Sequence, residues 1–364
     1  MKLYWGLRAY GIGADGGELG SEAVPDCNGA FTQAKCGACW VCHLRQVFQE
    51  VKRVLRDDGV VFLNVGDSYK EKQLLGLPWR LALALQSDGW VLRSEIIWHK
   101  VNPMPESVQD RPVNAHEQVF LFSKQLTYYY DAEAVREPHT EPQRGSVLMH
   151  TAYGGGRALG YEREEKILRW KHDETERVYN PAGRNARSVW AFPSEPYAGQ
   201  HFATYPQALV RRCLLAGTSQ AGCCPQCRAS WRRMVERAKG PVASFHGSSF
   251  THGKTHAAQA ALAAVGQGER TAALHTTGWV PTCHCRADAP VPCTVLDPFA
   301  GTATTGLVAR ALGRHSVCLD LSWPYLQLAR ERLGLVALEH WAHGAPAVAI
   351  RLDDLPLFTT EHTR

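Results

Sequence analysis

The run Cys293-Thr-Val-Leu-Asp-Pro-Phe-Ala-Gly-Thr-Ala-Thr-Thr-Gly306 holds the residues whose types and order speak most directly of chemistry. A short apolar stretch ends in Asp297, crosses a turn of small side chains and enters 307–313, whose apolar spacing is helical. Strand, tight loop and helix in that order leave backbone N–H groups and a helix N-terminus open to a ligand, with little side-chain bulk in the way. Roughly 20 residues beyond the loop, the strand-like 316–320 ends in Asp320, where such folds set a carboxylate against ribose hydroxyls. Together these features predict a nucleotide or nucleoside site at the C-terminal edge of a parallel sheet.

Thiols form the second chemical group. Of twelve cysteines, one set is Cys27, Cys36, Cys39 and Cys42, and another is Cys224, Cys227, Cys283 and Cys285. Close pairs in a chain of cytosolic character predict metal before disulfide. Cys224-x2-Cys227 with Cys283-x-Cys285 offers four thiolates on two knuckles, a zinc-ribbon arrangement that would be structural because it leaves no open position. The first set could hold zinc in the same way, or could be a partly buried helix start.

The segment Asp297-Pro-Phe-Ala-Gly-Thr-Ala-Thr-Thr-Gly306 resembles the cofactor loop of the amino-group DNA methyltransferases, which methylate cytosine N4 or adenine N6 with S-adenosylmethionine. Similar members carry a second glycine where this chain has Ala303. Leu63-Asn-Val-Gly-Asp-Ser-Tyr69, Ile96-Ile-Trp-His-Lys100 and Asn102-Pro-Met-Pro-Glu-Ser107 resemble a phage-like subgroup of the same family. The resemblance implies that Asp297, Phe299, Gly301, Thr302, Thr304 and Asp320 hold the cofactor, with Phe202 and Thr204 closing over its methionine end. It implies a base pocket built from Tyr4, Trp5, Asp67 and Ser68. It also implies a target-recognition region at 136–195, where Arg157, Arg163, Arg169, Arg184 and Arg187 are candidate contacts to double-stranded DNA.

One departure stands out. The family's catalytic signature is (Ser/Asp/Asn)-Pro-Pro-Tyr, and this chain has only its aromatic, Tyr4, preceded by Met1-Lys2-Leu3. Two readings follow: the true start lies upstream of the recorded one, or the chain is a degenerate DNA-binding paralogue without turnover. On the first, the Tyr-Trp pair favours N4-cytosine over N6-adenine, and a cognate restriction endonuclease is the implied partner.

The elements that must position these residues follow from periodicity. Leu44, Val47, Phe48, Val51, Val54 and Leu55 share one helical face. Residues 60–65 read as a strand buried on both faces, as in a parallel sheet. A helix is expected at 74–85, strands at 90–98 and 117–124, a helix at 207–215 and another at 323–333, with a final strand at 347–352. Too little chain follows residue 297 to complete a sheet, so the earlier strands must supply it. The expected fold is a circularly permuted, Rossmann-like α/β methyltransferase sheet, with the catalytic half at 1–135 and the cofactor half at 196–221 and 286–364. The insertion at 222–285 carries the zinc ribbon, with 238–280 a loop of no fixed structure.

Composition limits the alternatives less sharply. A net charge of +5 and a pI near 8.6 suit a nucleic-acid partner without requiring one. No apolar run approaches the ~18 residues of a membrane span and no signal-peptide layout is evident, so the chain reads as cytoplasmic. A nicotinamide enzyme is disfavoured because the loop lacks G-x-G-x-x-G.

Overall fold

The structure, a computed structural model, describes residues 2–3, 22, 24–27, 36–138, 183–195, 205–237 and 274–335. Tyr4, Trp5, Arg157, Arg163, Arg169, Phe202, Thr204 and the strand expected at 347–352 lie outside the described residues. The chain divides into two compact units, one made of Met1–Ala134, Arg187–Arg232 and Trp279–Arg364, the other of Val135–Ala186 and Arg233–Gly278.

In the first unit, β1 (Lys2–Leu3) is followed by helix α1 (Trp40–Val54) and the central strand β2 (Val60–Val65). Helix α1 opens at Cys39, whose sulfur accepts the Cys42 N–H at 3.4 Å, and carries Lys52 and Arg53 in its last turn, where they favour the helix dipole. Its buried stripe of Trp40, Leu44, Phe48 and Val51 lies on the predicted face, begun a turn earlier than the spacing indicated, whereas Val54, expected on the same face, is exposed. Fully buried Arg45 grips Asp88 through two hydrogen bonds of 2.8 and 2.7 Å.

The short hairpin β3 (Tyr69–Lys70) and β4 (Gln73–Leu74) leads to α2 (Leu77–Ser87), then β5 (Val91–Lys100) and β6 (His116–Ser123). β7 (Val189–Phe192) precedes α3 (Gln207–Gly217). β8 (Arg232–Arg237) and β9 (Leu274–Val280) form a separate two-stranded sheet. The chain then builds β10 (Thr294–Asp297), α4 (Thr304–Ala311), β11 (His315–Cys318) and α5 (Trp323–Arg332).

Five strands form the main sheet in the order β1, β2, β6, β5, β7, and β10 pairs with β11 in a parallel ribbon. β2 packs on both faces as its composition predicts, but its full-length neighbour β6 runs antiparallel, and so does β5 against β6. Burial on both faces was legible; strand direction was not. Val61, Leu63 and Val65 face a core shared with α1 and α2, while Phe62 joins the opposite core with Leu209, Val210 and Leu214 of α3 and Val308 of α4. Phe48, Trp90 and Phe122 meet edge to face at 6.3 Å between centroids, and each such buried side chain contributes about 1.5–3 kcal/mol.

Two expectations are corrected. Residues 189–192, for which no strand was expected within the target-recognition region, form β7, held parallel to β5 by the register Trp98↔Trp190 and by Trp98 Nε1 donating to the Phe192 carbonyl at 3.0 Å. The unstructured loop expected through 280 ends at Leu274, because 274–280 pairs with β8; residues 238–273 lie outside the described residues.

Candidate functional site

Asp297 ends β10 with its carboxylate almost wholly buried. Oδ2 accepts the Tyr205 hydroxyl at 2.8 Å and the Thr305 hydroxyl at 2.5 Å, and Oδ1 accepts the Phe299 N–H at 3.1 Å. Burial works to raise this carboxyl, while the positive charge of the N-terminus and then the donors of Thr305, Tyr205 and Phe299 lower it; the net position is below the usual carboxylate range. Burial pushes the Tyr205 hydroxyl well above its ordinary value, so it remains a donor. Asp297 is therefore the buried brace of the loop.

Beyond it the backbone turns sharply. Gly301 and Ala303 both take left-handed backbone, with φ of 53° and 58°. Glycine does this freely, but for alanine it costs about 1–2 kcal/mol. Ala303 sits at the N-cap of α4, with its methyl fully buried. At Gly306 a Cβ would lie 3.0 Å from Cys318 Sγ, so the absence of a side chain lets α4 press onto β11.

Asp320 pins this turn from the neighbouring strand end. Its Oδ2 accepts the Gly301 N–H at 2.7 Å and its Oδ1 the Ser322 N–H at 2.8 Å. Each carboxylate oxygen has a further lone pair, and the side chain is only half-buried, so both can still accept a hydroxyl. Leu321 and Trp323 alongside are 77% and 63% exposed, an apolar lip next to a polar anchor. Arg332 of α5 clamps the loop from the other side, donating to Thr302 O at 3.2 Å, Thr302 Oγ1 at 3.1 Å and Thr304 Oγ1 at 2.9 Å. Thr302 and Thr304, expected to face a ligand, are buried and held by this guanidinium, and Phe299 packs partly against the core of α1 and α2.

Tyr205, Thr305 and Arg332 were missed in the sequence. Tyr205 lies 92 residues from its partner, which no local pattern reveals. Arg332 carries a signal only in hindsight: it ends a helix whose start is anchored beside the loop through Ser322.

Asp67 leaves β2 and accepts three backbone N–H groups, from Ser68 and Leu77 on Oδ1 and from Gly76 on Oδ2, at 2.9–3.1 Å. It thereby caps the N-terminus of α2, whose preceding Gly76 is left-handed. The Asn102 side chain bridges to Ser194, accepting its N–H at 2.6 Å, which ties the Asn-Pro-Met-Pro-Glu-Ser loop to the chain after β7. Trp98 is core, as expected of a strand tryptophan. Of the two described arginines from the recognition region, Arg187 is exposed and Arg184 pairs with Glu137 at 3.3 Å in the second unit.

Both cysteine sets come together. In each, the four sulfurs lie within 4.8 Å of one another. Cys42 Sγ is 3.9 Å from Cys27 Sγ and 3.8 Å from Cys36 Sγ. A tetrahedron with Zn–S bonds of ~2.3 Å requires sulfurs ~3.8 Å apart, whereas a disulfide requires ~2.05 Å. One thiol in each set is drawn toward thiolate: the Ala38 N–H brings Cys36 down to about 6, and the Cys227 N–H brings Cys224 down to about 7. Cys285 is pushed up to about 12, first by its hydrogen bond with Cys227. Crowded thiols that resist ionising together are what a divalent cation relieves. His43, adjacent to the first set, is engaged with Glu22 at 2.8 Å.

A strand, a loop of small residues, a helix and a second strand ending in an acid, on a sheet covered by helices on both faces, is the architecture of Rossmann-like nucleoside-binding domains. Residues 10–224 and 293–331, more than half of the chain, match the family described as DNA methylase (N6_N4_Mtase), and the chain belongs to this family of amino-group DNA methyltransferases. The match pauses between Cys224 and Cys293, so the insertion bearing the second knuckle lies outside the family's common part.

Among its relatives, the type II methyltransferase M.SmaI of Serratia marcescens is 30% identical over 360 residues, covering 91% of this chain and 81% of that protein. The type II methyltransferase M.Cfr9I of Citrobacter freundii is 37% identical over 244 residues, covering 59% of this chain and 63% of that protein. The PvuII DNA methyltransferase (cytosine-N4-specific) superposes over 82% of this chain and 74% of its own with a TM-score of 0.45 and 12% identity. No helix among the described residues is long and apolar enough to cross a membrane.

Proposed function

We propose that this chain transfers a methyl group from S-adenosylmethionine to an exocyclic amino group of a base flipped out of double-stranded DNA, with cytosine N4 favoured over adenine N6. The observation that carries the proposal is the Asp320–Gly301 pin, at 2.7 Å, which joins the small-residue loop to a half-buried carboxylate in a chain of this family. The residues fit the cofactor: the loop is thin, its turn is pinned from both sides, and Asp320 has lone pairs left for ribose hydroxyls.

Bound there, the cofactor supplies an electrophilic sulfonium methyl. The protein's own tasks are positional. A ring-conjugated amine is a weak nucleophile and a stacked base is out of reach, so the base must be extruded and its nitrogen aligned. Tyr4 and Trp5 are proposed to stack on that base, with Ser68 beside it and Asp67 holding the α2 N-terminus that shapes this side of the pocket. Phe202 and Thr204, just before Tyr205, are proposed to cover the methionine end. Arg187, with Arg157, Arg163 and Arg169, is assigned to DNA contact; Arg184 supports the segment through Glu137.

In this reading the catalytic half precedes the cofactor half, a circularly permuted order, and a restriction endonuclease of the same specificity is the functional partner. Each cysteine set is assigned one structural zinc, the second set as a zinc ribbon within the insertion. The work of such an enzyme is in the cytoplasm, on DNA. The test is transfer of labelled methyl from S-adenosylmethionine to mixed-sequence DNA, followed by nucleoside analysis; label in N4-methylcytosine is expected. Absence of label from this chain and from an N-terminally extended form alike would refute the activity.

A further inference from the structure

Residues 101–115, between the C-terminal end of β5 and the start of β6, form neither helix nor strand, yet they are fastened at several points. The Lys100 N–H donates to the Ala115 carbonyl at 2.8 Å and closes the base of the loop. The Asn102 side chain donates to the Ser194 carbonyl at 3.3 Å and accepts the Ser194 N–H at 2.6 Å. Further along, Arg111 pairs with Glu106 at 2.8 Å and lies over the Tyr69 ring, 4.0 Å from its centroid, while Asp110 pairs with Lys72 at 3.0 Å. Long irregular loops that a fold braces in this way usually carry function.

At the head of this loop stands Met104, between Pro103 and Pro105 and 84% exposed, the most exposed large apolar side chain among the described residues. Each proline fixes its own φ and keeps the residue before it extended, so Asn102 and Met104 cannot coil back into a helical turn. The exposure is built into the backbone. β2 and β5 are each antiparallel to β6, so they point the same way. The loop therefore leaves the sheet at the edge where Asp67 and Ser68 leave β2, and the contact of Arg111 with Tyr69 sets it against the residue next to Ser68. Lys70, one position further along the β3–β4 hairpin, is exposed there.

We propose that Met104 is a wedge that enters the duplex where the target base leaves it. The inference rests on the reading of this chain as a methyltransferase acting on a base flipped out of double-stranded DNA. Extrusion leaves the neighbouring bases unstacked, and an apolar side chain pushed between base steps replaces part of the lost contact. Methionine suits the task, since its unbranched chain and polarizable sulfur adapt to whichever base face they meet. The braces at Asn102, Asp110 and Arg111 keep the loop from being pushed back, and Lys70 is placed for a phosphate that fixes the register of the duplex. Met104 touches no reacting atom. It is a positioning residue that lowers the cost of extrusion, so its effect belongs to paired DNA and fades where pairing is already broken.

The experiment has two arms, both on the full chain. In the first, hydrogen peroxide converts exposed methionine to its sulfoxide, and mass spectrometry follows Met104 with and without mixed-sequence duplex DNA; the duplex is expected to slow its oxidation about fivefold or more. In the second, methyl transfer is measured on a duplex that the parent methylates, with the methylated base either paired normally or facing an abasic position. Met104→Ala is expected to lower kcat on the paired duplex at least tenfold and to change it less than twofold on the abasic one, with S-adenosylmethionine affinity unchanged. Met104→Leu, apolar and of similar volume, is expected to stay within about threefold of the parent, and Met104→Gln, similar in length but polar, to fall with alanine. Unslowed oxidation, an equal loss on both duplexes, no loss at all, or glutamine serving as well as leucine would overturn the proposal. A parent that methylates no DNA while the duplex still shields Met104 would fault the transfer reading and leave the wedge standing.

Discussion

The Tyr205 hydroxyl donates to Asp297 Oδ2 at 2.8 Å, joining the start of α3 to the end of β10 across 92 residues of chain. The segment proposed to close over a bound cofactor is thus joined, through Tyr205, to the strand that carries the loop 297–306.

Replacing Tyr205 by Phe leaves a buried carboxylate short of one donor and should cost about 1.5–3 kcal/mol at neutral pH, read by urea denaturation. The pH dependence has a definite sign. Asp297 is held below its ordinary value, so its charged form stabilises the fold fully above the unfolded carboxyl's range, about pH 4, and that contribution is lost as pH falls through the depressed folded value. The Tyr205→Phe penalty should therefore shrink as the pH drops below about 4. A penalty that stays constant down to pH 3 would show that Tyr205 acts through packing alone.

Ala303→Gly should stabilise the chain. Alanine occupies a left-handed N-cap there, with open conformations that glycine reaches without strain. A gain of about 1 kcal/mol is expected, visible as a melting temperature higher by a few degrees. Gly306→Ala should do the opposite by about 1–3 kcal/mol, since its methyl would press on Cys318 Sγ. Opposite signs from two exchanges in one loop make this a stringent check by calorimetry.

Asp320→Ala removes the acceptor for the Gly301 N–H as well as the proposed ribose contact. Affinity for S-adenosylmethionine should fall at least tenfold, about 1.4 kcal/mol, by isothermal titration. Asp320→Asn retains an acceptor for Gly301 and should lie between the two. Unchanged affinity in both variants would remove Asp320 from the site.

Metal analysis of the purified chain should find two zinc ions. Cys42→Ser and Cys224→Ser should each lose one, and chelation should lower the melting temperature of the parent. Cys213→Ser should keep both, because Cys213 lies outside either set. A metal-free chain with unchanged stability would contradict both assignments.

Much of the site was legible because its chemistry is local. The loop 297–306, Asp320 and the paired cysteines stand at short spacings, and the helices and buried strands around them announce themselves by period. What escaped was set by partners far away in sequence. Val189–Phe192 is too short to show a strand period and exists as β7 because β5 offers it an edge. That Arg332 holds Thr302 and Thr304 is likewise invisible in local order, since about thirty residues separate them.

Residue order alone determined the small-residue loop 297–306, the acid that follows it, the two thiol quartets and the apolar faces of α1 and β2, since each depends on neighbours within a few turns or one strand. Only the tertiary structure decided that β6 runs antiparallel to β2, that Asp297 is braced by Tyr205, and that β2 and β10 line one cavity. The physical reason is that strand direction, buried hydrogen bonds and edge pairing are set by which distant segments meet, and no local periodicity encodes that choice.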